Sequence, residues 1–294
     1  MSHSYNFQKI RSQLTAFPTS YPRSLITTAQ SQKVVKGITA NEEPMSVLQQ
    51  VLHLNNEGVS MLASGDEGKA MGLFQDSLRL MKDKFARERA EEDLLDATNN
   101  TTSVATAPAK CDSIDRHFED EPSRIYETVE MEGFRDSSDF FIFNSAIKLS
   151  PDALANHSRQ QDPDISILFT AYILFNTAIA YHNHGIVHAK QTCLDKAAGI
   201  YHQTIKLLRT CAGQCERNAT SSMIEMAALN NLSHIHLVQG DHVQSRQLLE
   251  DLAGLTSFVG AFDFAPRLFA DKDVNQLLVN IFFLIASASA APAA

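Results

Sequence analysis

The chain has 294 residues and a mass of 32.5 kDa, and 44% of its residues are hydrophobic, which is enough to bury a sizeable core. Its formal net charge of −9 excludes the broadly cationic surface that non-specific nucleic-acid binding requires, so we expect no nucleic-acid partner. Four cysteines do not make a disulfide framework, and a cytoplasmic or nuclear location is therefore expected.

The first predicted unit is a tail over residues 1–44. Its first 41 residues contain five basic residues, no acidic residue and many serines and threonines, so their net charge is +5. No apolar run is long enough for a secretory signal. This composition fits a disordered polar tail, and it also fits an organellar transit segment, which leaves an organellar location as the alternative.

A first helical hairpin is predicted over residues 45–95. Apolar residues recur there at three- and four-residue intervals on both sides of Ser64-Gly65-Asp66, which is the period of a helix face. The three-residue interruption predicts the turn between the two helices.

Residues 96–163 are predicted to form a polar, acidic insertion. Ten acidic residues and three arginines give its part 112–139 a charge of −7, so a basic partner could be attracted there. Two runs rich in aromatic and β-branched residues, 124–131 and 139–147, predict a small β-hairpin.

Two further helical pairs are predicted over residues 164–260. The helices are expected at residues 165–184, 188–210, 223–238 and 241–254. The first of them is apolar nearly all round, which is typical of a helix packed on several sides. Interrupting polar residues and the lack of a basic flank argue against a membrane span, so no membrane partner is expected.

Residues 261–294 are predicted to be a capping helix and tail. An apolar stripe begins at Val274, and Asp271 is its candidate N-cap. A helix that covers the last pair or folds back along the others is one interpretation, and a helix that docks on a second copy of the chain is another. A membrane anchor is the third, although the dense apolar part, residues 277–286, is only ten residues long and contains Asn280.

One spacing pattern occurs three times along the chain. A leucine is followed by an asparagine two residues later, by a small residue after two more, and by a glycine after a further seven. In the second copy the pattern positions of the second helix come seven residues later than they do in the other two copies. The residues concerned are Asn56, Asn176 and Asn231, then Gly58, Ala178 and Ser233, then Gly65, Gly185 and Gly240.

This pattern resembles the tetratricopeptide repeat (TPR), a pair of antiparallel helices, with the usual tryptophan replaced by leucine and the terminal proline absent. The resemblance implies a mostly α fold of TPR-like helical hairpins, an α-α superhelix, with the small β-hairpin as an insertion. Its small residues would let the paired helices approach closely, and its three glycines would permit the turns. Generic packing of helical hairpins is the alternative explanation.

In that family the first helix of each pair lines a concave groove that holds a partner segment. The resemblance places apolar, amide and imidazole side chains there, and the residues predicted to bind a partner are Asn55, Val59, Leu62, Tyr172, Phe175, Asn176, Ile179, His182, Asn230 and His234.

These side chains favour a non-catalytic scaffold or adaptor that binds a protein partner. Tyr172, Phe175 and Ile179 would take up partner side chains. The amides of Asn55, Asn176 and Asn230 would hydrogen-bond the partner's backbone. No catalytic residue, cofactor or metal is predicted.

Two other functions stay open. An enzyme or metal-binding protein of unrecognised type could use the His-rich turn 182–188 with Asp195, although His182 and His184 point about 200° apart on a helix and cannot share an ion. A self-capped homo-oligomer, with residues 274–288 in the groove, is the other alternative.

Overall fold

The computed structural model describes residues 45–99, 126–131, 142–151, 163–212, 219–260 and 277–282. Within these ranges the chain is mostly helical, with seven helices and one two-stranded antiparallel sheet, which confirms the predicted secondary-structure class. The predicted N-terminal tail and most of the acidic insertion lie outside the described residues. So does the predicted C-terminal capping helix apart from residues 277–282, including its candidate N-cap Asp271.

Six of the helices form three consecutive pairs, each joined by a short turn. The pairs are α1 (Val47–Ala63) with α2 (Glu67–Asn99), α3 (Pro163–Val187) with α4 (Gln191–Ala212), and α5 (Ala219–Val238) with α6 (His242–Gly260). Neighbouring pairs contact each other, since α2 packs on α3 and α4 packs on α5. Helix α3 also contacts α1 and α5, and every side chain from residue 169 to 183 is buried, as its all-round apolar sequence predicted.

Polar side chains cap the starts of α1, α2 and α6. The Ser46 hydroxyl accepts from the Gln49 N–H, and the Gln49 side chain accepts from the Ser46 N–H in return, which forms a capping box for α1. The carboxylates of Asp66 and Asp241 accept backbone N–H groups at the starts of α2 and α6, at 3.1 Å each. The Gly-Asp pairs of the repeat therefore end one helix and begin the next.

The turns within the three pairs share one hydrogen-bond pattern. In each, a backbone N–H donates to the carbonyl five residues earlier, at 2.8–2.9 Å. Gly65 and Gly240 precede that donor and have φ of 79° and 80°, whereas in the second pair the equivalent residue is Ala189, with φ of 48°. The prediction that Gly185 makes this turn was wrong, because α3 continues to Val187.

Gly185 has a packing role instead. A Cβ built on Gly185 would lie 2.6 Å from Cδ2 of Leu194, so the glycine lets α4 approach α3. Gly58 does the same in the first pair, where a Cβ would lie 2.5 Å from the ring of Phe74. The seven extra residues in the second copy are about two helical turns, so they preserve the faces on which the small residues lie.

We expect Ala189→Gly to raise the free energy of unfolding by about 0.5–1 kcal/mol, because alanine at a φ of 48° is crowded by its own Cβ. Gly65→Ala imposes the same crowding at the equivalent turn and should lower that free energy by about 1 kcal/mol. Urea unfolding of the two variants measures both changes. A destabilised Ala189→Gly variant would contradict the assignment of this turn.

The predicted β-hairpin is present, with a shifted second strand. Strand β1 (Tyr126–Glu130) pairs with β2 (Ser145–Leu149), and Thr128 lies opposite Ile147. Residues 142–144, predicted as strand, directly precede β2 in the chain but do not pair with β1. Their backbone has another partner, since the Phe143 N–H donates to the Asn231 side chain at 2.9 Å.

The core is continuous across the helix pairs, β2 and residues 277–282. Leu277 and Ile281 are buried, and the Asn280 amide donates to the Asn230 Oδ1 on α5 at 2.6 Å. This part of the predicted capping helix therefore contacts the last helix pair of its own chain.

Candidate functional site

The side chain of Asn176, on α3, binds the backbone of β2. Its Oδ1 accepts the Ile147 N–H at 2.8 Å, and its Nδ2 donates to the Ile147 carbonyl at 2.8 Å. The same Nδ2 donates to Oδ1 of Asn55, whose own Nδ2 donates to the Ile147 carbonyl at 3.0 Å. All three residues are completely buried, so these hydrogen bonds replace water entirely.

The equivalent asparagines of the other two repeats bind β2 and its extension in the same way. On α1, Asn56 accepts the Leu149 N–H and donates to the Leu149 carbonyl, both at 2.8 Å. On α5, Asn231 accepts the Phe143 N–H at 2.9 Å and donates to the Phe143 carbonyl at 2.8 Å. We call Asn56, Asn176 and Asn231 the asparagine row, and residues 142–149 the groove segment.

The spacing of the bound residues follows from strand geometry. Residues two or four apart in a strand direct their N–H and C=O groups to the same edge, and Phe143, Ile147 and Leu149 are related in this way. β1 pairs with β2 along its other edge. A primary amide carries one donor and one acceptor side by side, so each asparagine takes the place of a neighbouring strand.

Apolar contacts accompany the main-chain contacts. Phe143 is 1% exposed and its ring centroid lies 6.0 Å from that of Phe175, which is in turn 6.0 Å from the ring of Tyr201. Ile147 and Leu149 are 0% and 1% exposed. The groove segment is therefore held by its backbone and anchored by its side chains, as expected of a strand-like ligand.

All ten residues predicted to bind a partner are buried, at 3% exposure or less. Asn55, Asn176 and Phe175 contact the groove segment, whereas Asn230 bonds to Asn231 and Asn280. The predicted groove residues thus do not line an open cleft. They surround the chain's own hairpin or pack within the core.

The sequence interpretation missed two members of the asparagine row, Asn56 and Asn231. It chose the neighbours Asn55 and Asn230 as the backbone-binding amides. The repeat alignment contained the missing signal, because Asn56 and Asn231 stand at the position of Asn176 in the other two copies.

The remaining predicted residues include a buried histidine pair. His182 Nε2 lies 3.0 Å from His234 Nδ1, and the Tyr201 hydroxyl lies 3.5 Å from His182 Nδ1. Burial, with a smaller contribution from His234, holds the pKa of His182 well below its ordinary range. Burial also raises the pKa of Tyr201, which accepts from the Asn231 Nδ2 at 3.0 Å. His182 is therefore neutral near pH 7.

The structure does not bring together the residues of the enzyme hypothesis, which were the His-rich turn 182–188 and Asp195. His182 is buried against His234, and the Asp195 carboxylate accepts from Gln191 and Gln239 at the exposed surface. His184 and His188 lie instead beside Glu67.

No model of a known protein family matches the sequence, and no curated protein or solved structure matches it either. Among the described helices, none combines the length and the apolar character that a membrane crossing requires.

Proposed function

We propose that the protein is a non-catalytic interaction scaffold, built from divergent TPR-like helix pairs, that binds extended polypeptide through the asparagine row. One observation carries this proposal: Asn56, Asn176 and Asn231 each make two hydrogen bonds to the backbone of one residue in the groove segment. Main-chain recognition of this kind accepts many sequences, and the apolar pockets select among them.

In this proposal the groove segment is a resident ligand that an outside partner segment replaces. The partner should be extended and carry large apolar residues at positions corresponding to Phe143, Ile147 and Leu149, since these are the buried ligand side chains. It should carry no charge at those positions, because the groove around them offers amides and the Phe175 ring and no opposite charge among the described contacts.

A labelled peptide with the sequence of residues 141–151 tests the proposal on the full chain. Phe143→Ala with Ile147→Ala loosens the resident segment, and we expect this variant to bind the peptide at least about tenfold more tightly than the unaltered chain does, because competition is weaker. Fluorescence anisotropy measures the affinity. A scrambled peptide of the same composition is the control.

Adding Asn176→Leu to the loosened variant should abolish binding of the same peptide, since the amide that pairs with its backbone is gone. Circular dichroism checks that the helices remain. If the loosened variant does not bind the peptide, or binds it equally well without Asn176, the groove is not a peptide site.

A further inference from the structure

We propose that Glu67, His184 and His188 form a site for one divalent transition-metal ion, with Zn²⁺ as the best fit. One potential ligand atom from each residue lies within 4.8 Å of the other two. Glu67 is the first residue of α2, His184 is in the last turn of α3, and His188 follows one helical turn later. The site thus lies where the first helix pair meets the second.

The ligand chemistry suits zinc. Two imidazoles and a carboxylate are ordinary Zn²⁺ ligands, with bonds of about 2.0–2.2 Å, which leave a fourth position for water. His188 is the first residue after α3 and continues its last turn, because its N–H donates to the His184 carbonyl at 3.2 Å, and the two rings are 4.3 Å apart between centroids. His188 is exposed and Glu67 half-buried, so small side-chain rotations can close the ligand set around an ion.

The positively charged side chain of Lys190 lies at this cluster. The Lys190 Nζ lies 3.1 Å from His184 Nε2, on an exposed side chain that is free to turn away. The lysine ammonium group therefore lies where a metal ion would bind His184 Nε2, and it competes with an ion for that nitrogen.

The site is separate from the peptide groove. His184 is eight residues beyond Asn176 on α3, about 12 Å along the helix axis. A bound ion would link α2 to α3 and so stabilise the folded chain, because the three ligands come together only on folding. The inference does not depend on the proposed peptide binding.

Titration of the chelator-treated full chain with Zn²⁺, by isothermal calorimetry and by thermal unfolding, tests the proposal. We expect one ion per chain and a midpoint of unfolding that rises with Zn²⁺ and returns on adding EDTA. Glu67→Gln and His188→Ala should each weaken binding at least about tenfold, since each removes one of three ligands. Unfolding in EDTA checks that both variants are folded.

Two matched variants separate this site from adventitious binding by surface histidines. His53→Gln removes an exposed histidine that has a glutamate one turn away but belongs to no three-ligand group among the described residues, and it should leave the affinity unchanged. Lys190→Ala removes the competing cation and should tighten binding several-fold, because like charges repel at short range. Equal affinity in Glu67→Gln and the unaltered chain, or no tightening in Lys190→Ala, would overturn the proposal.

Discussion

We expect Asn176→Leu to lower the free energy of unfolding by about 3 kcal/mol, although leucine has a similar size. The substitution leaves the Ile147 N–H without its acceptor and removes one of two donors to the Ile147 carbonyl, at a residue that is fully buried. It also strips Asn55 of its Asn176 donor. An unsatisfied buried polar group costs its full desolvation, which a leucine side chain does not offset.

Asn56→Leu is the matched control, since Asn56 is half-buried and makes the same two hydrogen bonds at the last residue of β2, where water can enter from the side of half-buried Ser150 and exposed Pro151. We expect a cost of about 1 kcal/mol there. Urea unfolding measures both variants, and hydrogen exchange of the Ile147 amide reports directly on the lost acceptor. If the two substitutions cost the same, or if the Ile147 amide stays fully protected in Asn176→Leu, the amide is not what holds β2.

The secondary structure could be predicted from local patterns. Three- and four-residue apolar spacing located the helix pairs, and Gly65 and Gly240 marked two turns because only a residue without Cβ adopts a positive φ at no cost. The turn of the second helix pair, between α3 and α4, could not be predicted this way. Ala189 adopts the same conformation without the glycine signal, and the nearby Gly185 serves close packing instead.

The occupant of the groove could not be predicted, because the contacts that decide it are distant along the chain. Ile147 lies 29 residues from Asn176 and 92 from Asn55. A run of aromatic and β-branched residues indicates a strand but not what lies along its free edge. The repeat pattern correctly placed amides on the first helix of each pair, and the insertion between two repeats then supplied the strand that meets them.

The buried imidazole of His182 makes stability depend on pH. We expect His182 alone to lower the free energy of unfolding by roughly 1 kcal/mol between about pH 7.5 and pH 5.5. Burial depresses the pKa of His182 in the folded chain, whereas the unfolded chain takes up a proton near pH 6.5. The stabilisation is therefore complete at pH values above the pKa of this histidine in the unfolded chain, and it is lost as pH falls below that pKa. The neighbouring groups, His234 on α5 and Tyr201 on α4, supply no negative charge to retain that proton.

Urea unfolding at a series of pH values, with EDTA present to exclude metal binding, measures this dependence for the unaltered chain and for His182→Gln. His184 and His202 also have lowered pKa values and add a slope of the same sign, so the difference between the two proteins isolates His182. His53→Gln, at an exposed position, is the control for removing a surface histidine. If His182→Gln loses stability toward pH 5.5 as steeply as the unaltered chain does, the imidazole of His182 is not the source of the pH dependence.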